Sequence, residues 1–327
     1  MSRRAVWIFV CLAVAGATAW GQGPFDPVQV IARSNDALEG LRYEGRRLVT
    51  NFDLLGRKTE VEYREYFDGA RQGVPLRRLE YVRDSHLQGI IMVDDGRFVW
   101  QYNPRTKRAI RQRSGPHMLP EVLARRTELL LENYDCRERG MEQVAGRKCY
   151  VVELLPRVPG NPSRTVYADV FTYLPLKTVN LRGTGTLKSI SEFTSINFHP
   201  RFGKDLFAVP RDVVVVGGIS REGPYDLQRA AGRLGVAIRT PKYLPPGYVF
   251  AGAHCLWGAG GARAVHLLYF DGLSTISLFE EPTTHHVVER WLPAGSVHEF
   301  RWADGAMKYT LIGDIVPAEL ARIKDSL

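Results

Sequence analysis

Alternation of apolar and polar residues with a period of two runs through most of residues 41–198. In one stretch Val61, Tyr63 and Phe67 lie on one side and charged residues on the other, as in a strand with one wet face. Asp-Asp-Gly at 94–96 separates two further apolar runs, which is a hairpin signal. Roughly ten such runs predict a large antiparallel sheet.

Helical spacing precedes the alternation once and interrupts it once. Residues 25–40 have apolar residues at helical spacing, with Pro27 suited to a first turn and Gly40 to the end of the helix. Residues 120–132 carry a broad apolar side and predict a second helix. The first unit is therefore predicted as an antiparallel sheet backed by helices.

A boundary is predicted where glycine and proline accumulate, at residues 213–224. Beyond it, a short helix at 225–234, three further strands and a closing helix at 317–327 predict a small α+β unit. The predicted fold class is thus mainly β with α+β, and the predicted domains are 20–212 and 225–327.

The first nineteen residues have the layout of a secretory signal peptide. Arg3 and Arg4 precede an apolar run at 5–17, and Ala-Thr-Ala at 17–19 is a cleavage pattern. The run is short for a membrane span, so an uncleaved anchor is the weaker alternative. We therefore predict that residues 1–19 direct export and that the protein is periplasmic.

The formal net charge of +9 has a different meaning in an exported protein, which rarely meets nucleic acid. It favours anionic lipid headgroups or an acidic protein partner, unless it only keeps the protein soluble. One basic cluster is a candidate rim that contacts phosphates, although a strand edge blunted by charge would give the same pattern. The cluster consists of Arg105, Lys107, Arg108, Arg111 and Arg113.

A concave apolar surface on the sheet would suit acyl chains or an apolar peptide segment. The alternative is that its aromatic residues simply pack against the helices. The candidate groove residues are Tyr63, Tyr81, Phe98, Trp100 and Tyr102.

Three cysteines follow the predicted signal peptide. Cys136 and Cys149 are a candidate disulfide, which an oxidising compartment permits. A turn centred near Glu142 would place them opposite each other, whereas a turn at 145–147 would not. Cys255 is interpreted as a buried structural thiol.

Motifs of the common hydrolases, metalloproteases and phosphate-binding loops are missing from the sequence. The adjacent pair His285 and His286 would point to opposite faces of a strand and cannot chelate together. No cysteine or histidine cluster has metal-ligand spacing. The sequence therefore predicts a binding protein that is not an enzyme and that has no metal or cofactor.

Four strings in the first unit resemble the LolA/LolB-like lipoprotein-carrier fold. They are the DGRFVWQYNP hairpin at 95–104, the strand pair around 144–154, the LPLK segment at 174–177 and the closing strand at 196–210. The resemblance implies an antiparallel half-barrel with helices.

Three strings in the second unit resemble the C-terminal domain of the RseB/MucB family. They are YLPPGY at 243–248, LYFDGLS at 268–274 and LIGDIVP at 311–317, and they occur in the family's order. Tyr243 stands where the family often has tryptophan, which leaves partner specificity open.

The resemblance implies a periplasmic regulator of an envelope-stress sigma factor. Such a protein binds the extracytoplasmic part of a single-span anti-sigma factor and shields it from proteolysis. A lipid or lipopolysaccharide-like signal on the half-barrel would weaken that complex. The first alternative is a lipid or lipoprotein carrier of the LolA type, which would not need the second unit. An envelope hydrolase with a dispersed active site is a further alternative.

Overall fold

The computed structural model describes residues 25–69, 74–83, 87–217, 219–288 and 298–327. The predicted signal peptide at 1–19 lies outside these residues. Within them, no helix is both long and apolar enough to cross a membrane.

Strands form two sheets, and short helices lie between and after them. The helices are α1 Pro27–Asp36, α2 Pro120–Ala124, α3 Arg126–Asn133, α4 Leu227–Leu234 and α5 Pro317–Asp325, with a 3-10 turn at Ala259–Gly261. The strands of the first sheet are β1 Arg42–Phe52, β2 Lys58–Asp68, β3 Leu76–Arg83, β4 Ile91–Asp94, β5 Phe98–Asn103, β6 Arg108–Arg113, β7 Tyr134–Val144, β8 Arg147–Pro156, β9 Ser163–Asp169, β10 Pro175–Leu181, β11 Leu187–Asn197 and β12 Val214–Val215. Those of the second sheet are β13 Ser220–Tyr225, β14 Val249–Trp257, β15 Arg263–Phe270, β16 Thr275–Pro282, β17 His298–Asp304 and β18 Met307–Gly313.

The first sheet has twelve strands in the order β12-β6-β5-β4-β3-β2-β1-β11-β10-β9-β8-β7. Two meanders, β1 to β6 and β7 to β11, meet where β1 pairs with β11, and only the short β12 runs parallel to its neighbour. The predicted hairpin at 94–96 forms between β4 and β5. Its turn is held by the Asp95 carboxylate, which accepts hydrogen bonds from the amides of Arg97 and Phe98, while Gly96 has φ +82°.

One face of the first sheet packs against α1 and α3 and is called here the inner face. Val30 of α1 and Leu130 of α3 are buried against Val152 and Val166. The pairing of successive strands shows that Val166 in β9 and Tyr63 in β2 both lie on this inner face. On the other, outer face, the segment after β11 contacts β2 and β3: the Phe202 ring packs on Tyr66, and the Leu206 carbonyl oxygen accepts a hydrogen bond from Arg78.

The helices differ in detail from the sequence prediction. α1 is shorter than predicted and begins after Asp26, whose carboxylate accepts a hydrogen bond from the amide of Val28 at 2.9 Å. The single helix predicted at 120–132 is instead two helices, because the backbone at Arg125 leaves helical angles at φ −97° and ψ 6°.

The second sheet has six antiparallel strands in the order β13-β14-β15-β16-β18-β17. Helices α4 and α5 pack on one face, where Leu234, Leu320 and Ile323 join its buried core. The strand predicted at 298–311 is two strands, β17 and β18, which turn at Gly305 with φ +59°. The predicted fold class, mainly β with a smaller α+β unit, is confirmed.

Candidate functional site

The candidate groove residues divide between the two faces of the first sheet. Tyr63 and Tyr81 pair across β2 and β3 on the inner face, with ring centroids 5.6 Å apart. In β4, Met92 continues that face and lies opposite Gln101 of β5. The residues that alternate with Gln101, namely Phe98, Trp100 and Tyr102, therefore lie on the outer face. The prediction that all five residues line one groove is therefore wrong, because they lie on opposite faces of the sheet.

The inner face around Tyr63 carries buried charged side chains. Glu65, which is only 1% exposed, accepts hydrogen bonds from Tyr43 Oη at 2.9 Å and from Arg47 Nε and Arg77 Nε, each at 3.0 Å. Burial opposes the ionisation of Glu65, but the two guanidinium groups and the Tyr43 hydroxyl hold its pKa below the ordinary value. Burial, and then the neighbouring Glu65 carboxylate, raise the pKa of Tyr63 to about 12. This part of the inner face is therefore a buried ion-pair cluster rather than an apolar groove.

The outer face carries a compact aromatic and cationic cluster, which we call the Trp100 cluster and define as Phe98, Trp100 and Arg111. The two rings meet edge to face with centroids 6.0 Å apart, and the Arg111 guanidinium lies 4.5 Å from the Phe98 ring and 5.4 Å from the Trp100 ring. Trp100 Nε1 donates to Asp95 Oδ2 at 2.8 Å. Burial would raise the pKa of Asp95, but the hydrogen bonds from the Phe98 amide and the Trp100 indole hold it below its ordinary value.

The basic cluster also divides. Arg111 and Arg113 lie opposite Trp100 and Phe98 and share the outer face with them, whereas Arg108 belongs to the opposite face. Lys107 forms an ion pair with Asp212 at 2.5 Å. All five cations are exposed, with Arg105 in the turn before β6. At its first two residues, Arg108 and Ala109, the strand that carries the cluster pairs with β12 and is not a free edge.

The two candidate disulfide cysteines are free thiols. The turn between β7 and β8 lies at residues 145–146, so Cys136 is opposite Leu154 and Cys149 is opposite Glu142. Of the two turns considered from the sequence, the structure has the one that separates the thiols. Burial raises the pKa of both thiols, and of Cys255, to about 11.

A set of hydrogen bonds joins the two sheets where α3 ends and β7 begins. Tyr134 Oη donates to Asp271 Oδ2 at 2.7 Å, and both residues are buried. Asn133 Nδ2 donates to the carbonyl oxygens of Gly247 at 3.2 Å and Asp271 at 2.9 Å. The backbone of Gly272 runs so close to α3 that a Cβ would lie 2.3 Å from the Leu130 amide nitrogen.

Three further backbone hydrogen bonds join the two units elsewhere. The Gly183 amide donates to the carbonyl oxygen of Asp314 at 2.7 Å, and the Val316 amide donates to that of Gly160 at 3.0 Å. The Leu119 amide, in the segment before α2, donates to the carbonyl oxygen of Ala251 at 2.8 Å.

Sequence reasoning did not identify these contact residues. The three strings that resemble the second unit of a known family, at 243–248, 268–274 and 311–317, nevertheless supply Gly247, Asp271 and Asp314. Their Pro-Gly, Asp-Gly and Gly-Asp pairs are the signal that could have indicated close backbone approach.

Among the described residues, His254 and His266 show hydrogen-bond contacts but no catalytic arrangement. His254 Nε2 lies 2.8 Å from the carbonyl oxygen of His117, and His266 Nε2 lies 2.8 Å from Ser277 Oγ. Burial lowers the pKa of His254 to about 4, so its ring is neutral near pH 7. Among the residues that the structure describes, no group of three or more His, Cys, Asp or Glu side chains could hold a metal ion.

Comparisons with known proteins agree on one family. The family described as MucB/RseB N-terminal domain matches residues 26–211. The sigma factor AlgU regulatory protein MucB of Pseudomonas aeruginosa is 31% identical over 150 residues, which are 46% of this chain and 44% of that protein. The aligned part thus spans less than half of that relative.

Solved structures of MucB resemble the whole fold. A crystal structure of MucB has a TM-score of 0.61 at 21% identity and covers 94% of this chain and 98% of its own. The complex of Pseudomonas aeruginosa MucA and MucB gives 0.62 at 18% identity, over 91% of this chain and 97% of that chain. At these identities the likeness shows a shared fold that includes both sheets.

Proposed function

This chain belongs to the MucB/RseB family, and we propose that it regulates an envelope-stress sigma factor by binding the extracytoplasmic part of an anti-sigma factor. The relative in Pseudomonas aeruginosa is by name a sigma factor regulatory protein, and a solved structure holds MucB in complex with MucA. The same partner class is proposed for this chain, which is 18% identical to the MucB of that complex.

The observation that carries the proposal is the match over both sheets. A simple carrier needs only the first sheet, whereas this chain shares the complete two-sheet fold of MucB. The hydrogen bonds between Asn133, Tyr134 and Asp271 hold the sheets as one unit. A partner segment that contacts both sheets therefore meets a preorganised surface, which reduces the entropic cost of binding. The protein is proposed to act by binding and not by catalysis.

The place of action is proposed to be the periplasm. The signal-peptide layout at 1–19 supports export, and an extracytoplasmic partner requires it.

A lipid-like signal is proposed to act on the first sheet at the Trp100 cluster. The cluster combines partly exposed aromatic surface with the Arg111 guanidinium, which suits the boundary between acyl chains and anionic headgroups. For such a ligand to release the partner, it must bind the free protein more tightly than the complex.

The proposal is tested by capture of partners from detergent-solubilised envelopes of the native host with the exported chain as bait. Mass spectrometry should identify a single-span protein with a cytoplasmic anti-sigma domain as the main partner. Recovery of lipoproteins or lipid without such a membrane protein would instead support the carrier function.

A further inference from the structure

A polar cavity lies between the two sheets, away from the Trp100 cluster. Its volume is about 210 Å³, and β9, β10 and β11 line one side while the β15–β16 turn and the segment after β18 line the other. At about 30 Å³ for each water molecule in the liquid, this is room for about seven waters or one small organic ion. The polar lining includes Ser163, Arg164, Asn180, Lys188, Thr275 and Asp314.

Arg164 enters this cavity as a cation without a carboxylate partner among the residues that the structure describes. Its Nε donates to Asn180 Oδ1 at 2.6 Å. The Asn180 amide is itself fixed, because its Nδ2 donates to Ser189 Oγ at 3.0 Å. These bonds orient the guanidinium and leave its two terminal nitrogens without an acceptor in the described protein. Burial lowers the pKa of Arg164, and more distant acidic groups offset this only in part.

The second cation is Lys188, whose Nζ forms an ion pair with Asp314. An ammonium group has three N–H donors, so donors remain for a further acceptor. The Lys188 side chain is 39% exposed, whereas that of Asp314 is 12% exposed. With Arg164 included, the lining carries two cations and one carboxylate. The buried Asp271 lies outside the lining but, like Asp314, interacts electrostatically with Arg164.

We propose that this cavity binds the oxyanion of a small ligand, a phosphate or a carboxylate group. The terminal nitrogens of Arg164 would donate to two of its oxygens, since a planar guanidinium matches two oxygens of either group. Lys188 Nζ would donate to a third oxygen of a phosphate or to one of the two oxygens of a carboxylate. The hydroxyl groups of Ser163 and Thr275 can donate to the same oxygens. Because both sheets contribute, a bound ligand would also stabilise their docked arrangement.

Isothermal titration calorimetry of the full exported chain at fixed ionic strength tests the site. The probes are inorganic phosphate, glycerol 3-phosphate and acetate, with chloride as the background anion. We expect at least one probe to bind saturably, and Arg164→Met to weaken that binding roughly ten- to a hundred-fold, since a charge-assisted hydrogen-bond pair is lost. Arg139→Met is the matched control, because Arg139 pairs with Glu153, which lies opposite Thr165 on the outer face of the sheet, whereas Arg164 lies on the inner face. The affinity of this variant for the probes should be unchanged.

A second variant and a lipid probe complete the test. If Arg164→Met does not fold, Thr275→Val removes one exposed hydroxyl at nearly constant volume and should weaken binding by roughly two- to ten-fold. If dihexanoyl phosphatidic acid binds and glycerol 3-phosphate does not, the source of the oxyanion is a lipid headgroup. If glycerol 3-phosphate binds and the lipid does not, the source is a free solute.

The proposal is overturned if no probe, the lipid included, binds saturably, or if the affinity is the same with and without the substituted side chain. The assay contains no protein partner. Its failure would therefore leave the proposed regulatory function untouched, and failure of that function would leave this site untouched.

Discussion

Tyr134→Phe tests the docking of the two sheets with the loss of a single atom. The Tyr134 hydroxyl donates to Asp271 Oδ2 at 2.7 Å, with the two residues 1% and 0% exposed. Asp271 keeps its hydrogen bonds from the Leu273 and Ser274 amides, at 2.9 and 2.7 Å, so the turn itself should persist. The ring still fills its place, so the change isolates the hydrogen bond between the sheets.

The magnitude follows from the charge and burial of the acceptor. A hydrogen bond to a buried charged group contributes about 1.5–3 kcal/mol, and water cannot enter to replace the lost hydroxyl. We therefore expect the free energy of unfolding of Tyr134→Phe to fall by about that amount in urea denaturation. The native state should also show faster amide exchange in the 271–274 turn, because the sheets separate more readily.

Tyr63→Phe is the matched control, since Tyr63 lies on the same sheet and no hydrogen bond of its hydroxyl group is seen among the described residues. It should cost less than about 0.5 kcal/mol. If Tyr134→Phe lowered the free energy of unfolding no more than this control, the Tyr134 hydroxyl would make no difference to the docking of the sheets.

Three further predictions concern other parts of the molecule. Gly272→Ala should lower the free energy of unfolding by more than about 2 kcal/mol in thermal or urea denaturation, because Gly272 has φ +99° and a Cβ would meet the Leu130 backbone; wild-type stability would contradict the close approach. Burial raises the pKa of Glu280 from 4.5 to about 7, so the folded state holds this proton more tightly than the unfolded state. The free energy of unfolding should therefore fall as the pH rises from 4.5 to about 7, by up to about 1.4 kcal/mol per pH unit. Glu280→Gln should flatten this part of the pH–stability curve, and an unchanged slope would assign it to another group. Arg111→Glu should weaken binding to phosphatidylglycerol vesicles at low salt more than Arg108→Glu does, because Arg108 lies on the other face of the sheet. Equal effects of the two substitutions would contradict a lipid site at the Trp100 cluster.

The strands of the first sheet could be predicted well because alternation is a local property. The hairpin at 94–96 was evident from its turn residues alone. Alternation also placed Phe98, Trp100 and Tyr102 correctly on a common face. It could not relate that face to the face of Tyr63, because register is lost across each loop and bulge between β2 and β5.

Glu65 shows a second limit of local reasoning. It lies on the same face as Tyr63, where the pattern alone suggests apolar contact. Its burial depends on Arg47 and Arg77 in the two neighbouring strands, and a single strand's sequence does not contain that information.

The second sheet was predicted less completely. β14 was missed because residues 249–257 are almost all buried and show no alternation. The turn between β17 and β18 was also missed, although Asp304-Gly305 is a hairpin dipeptide. The contacts of Asp271 and Gly272 depend on the docking of the two sheets, so their role could be inferred only from the resemblance of the surrounding string.

The proposed function requires this chain to bind the extracytoplasmic part of an anti-sigma factor. The most direct measurement is a calorimetric titration of the purified exported chain with the purified extracytoplasmic segment of the host's single-span anti-sigma protein. We expect a saturable complex of defined stoichiometry that remains intact at physiological salt. If there is no heat of binding at several temperatures and no co-elution on size exclusion, the regulatory function is contradicted.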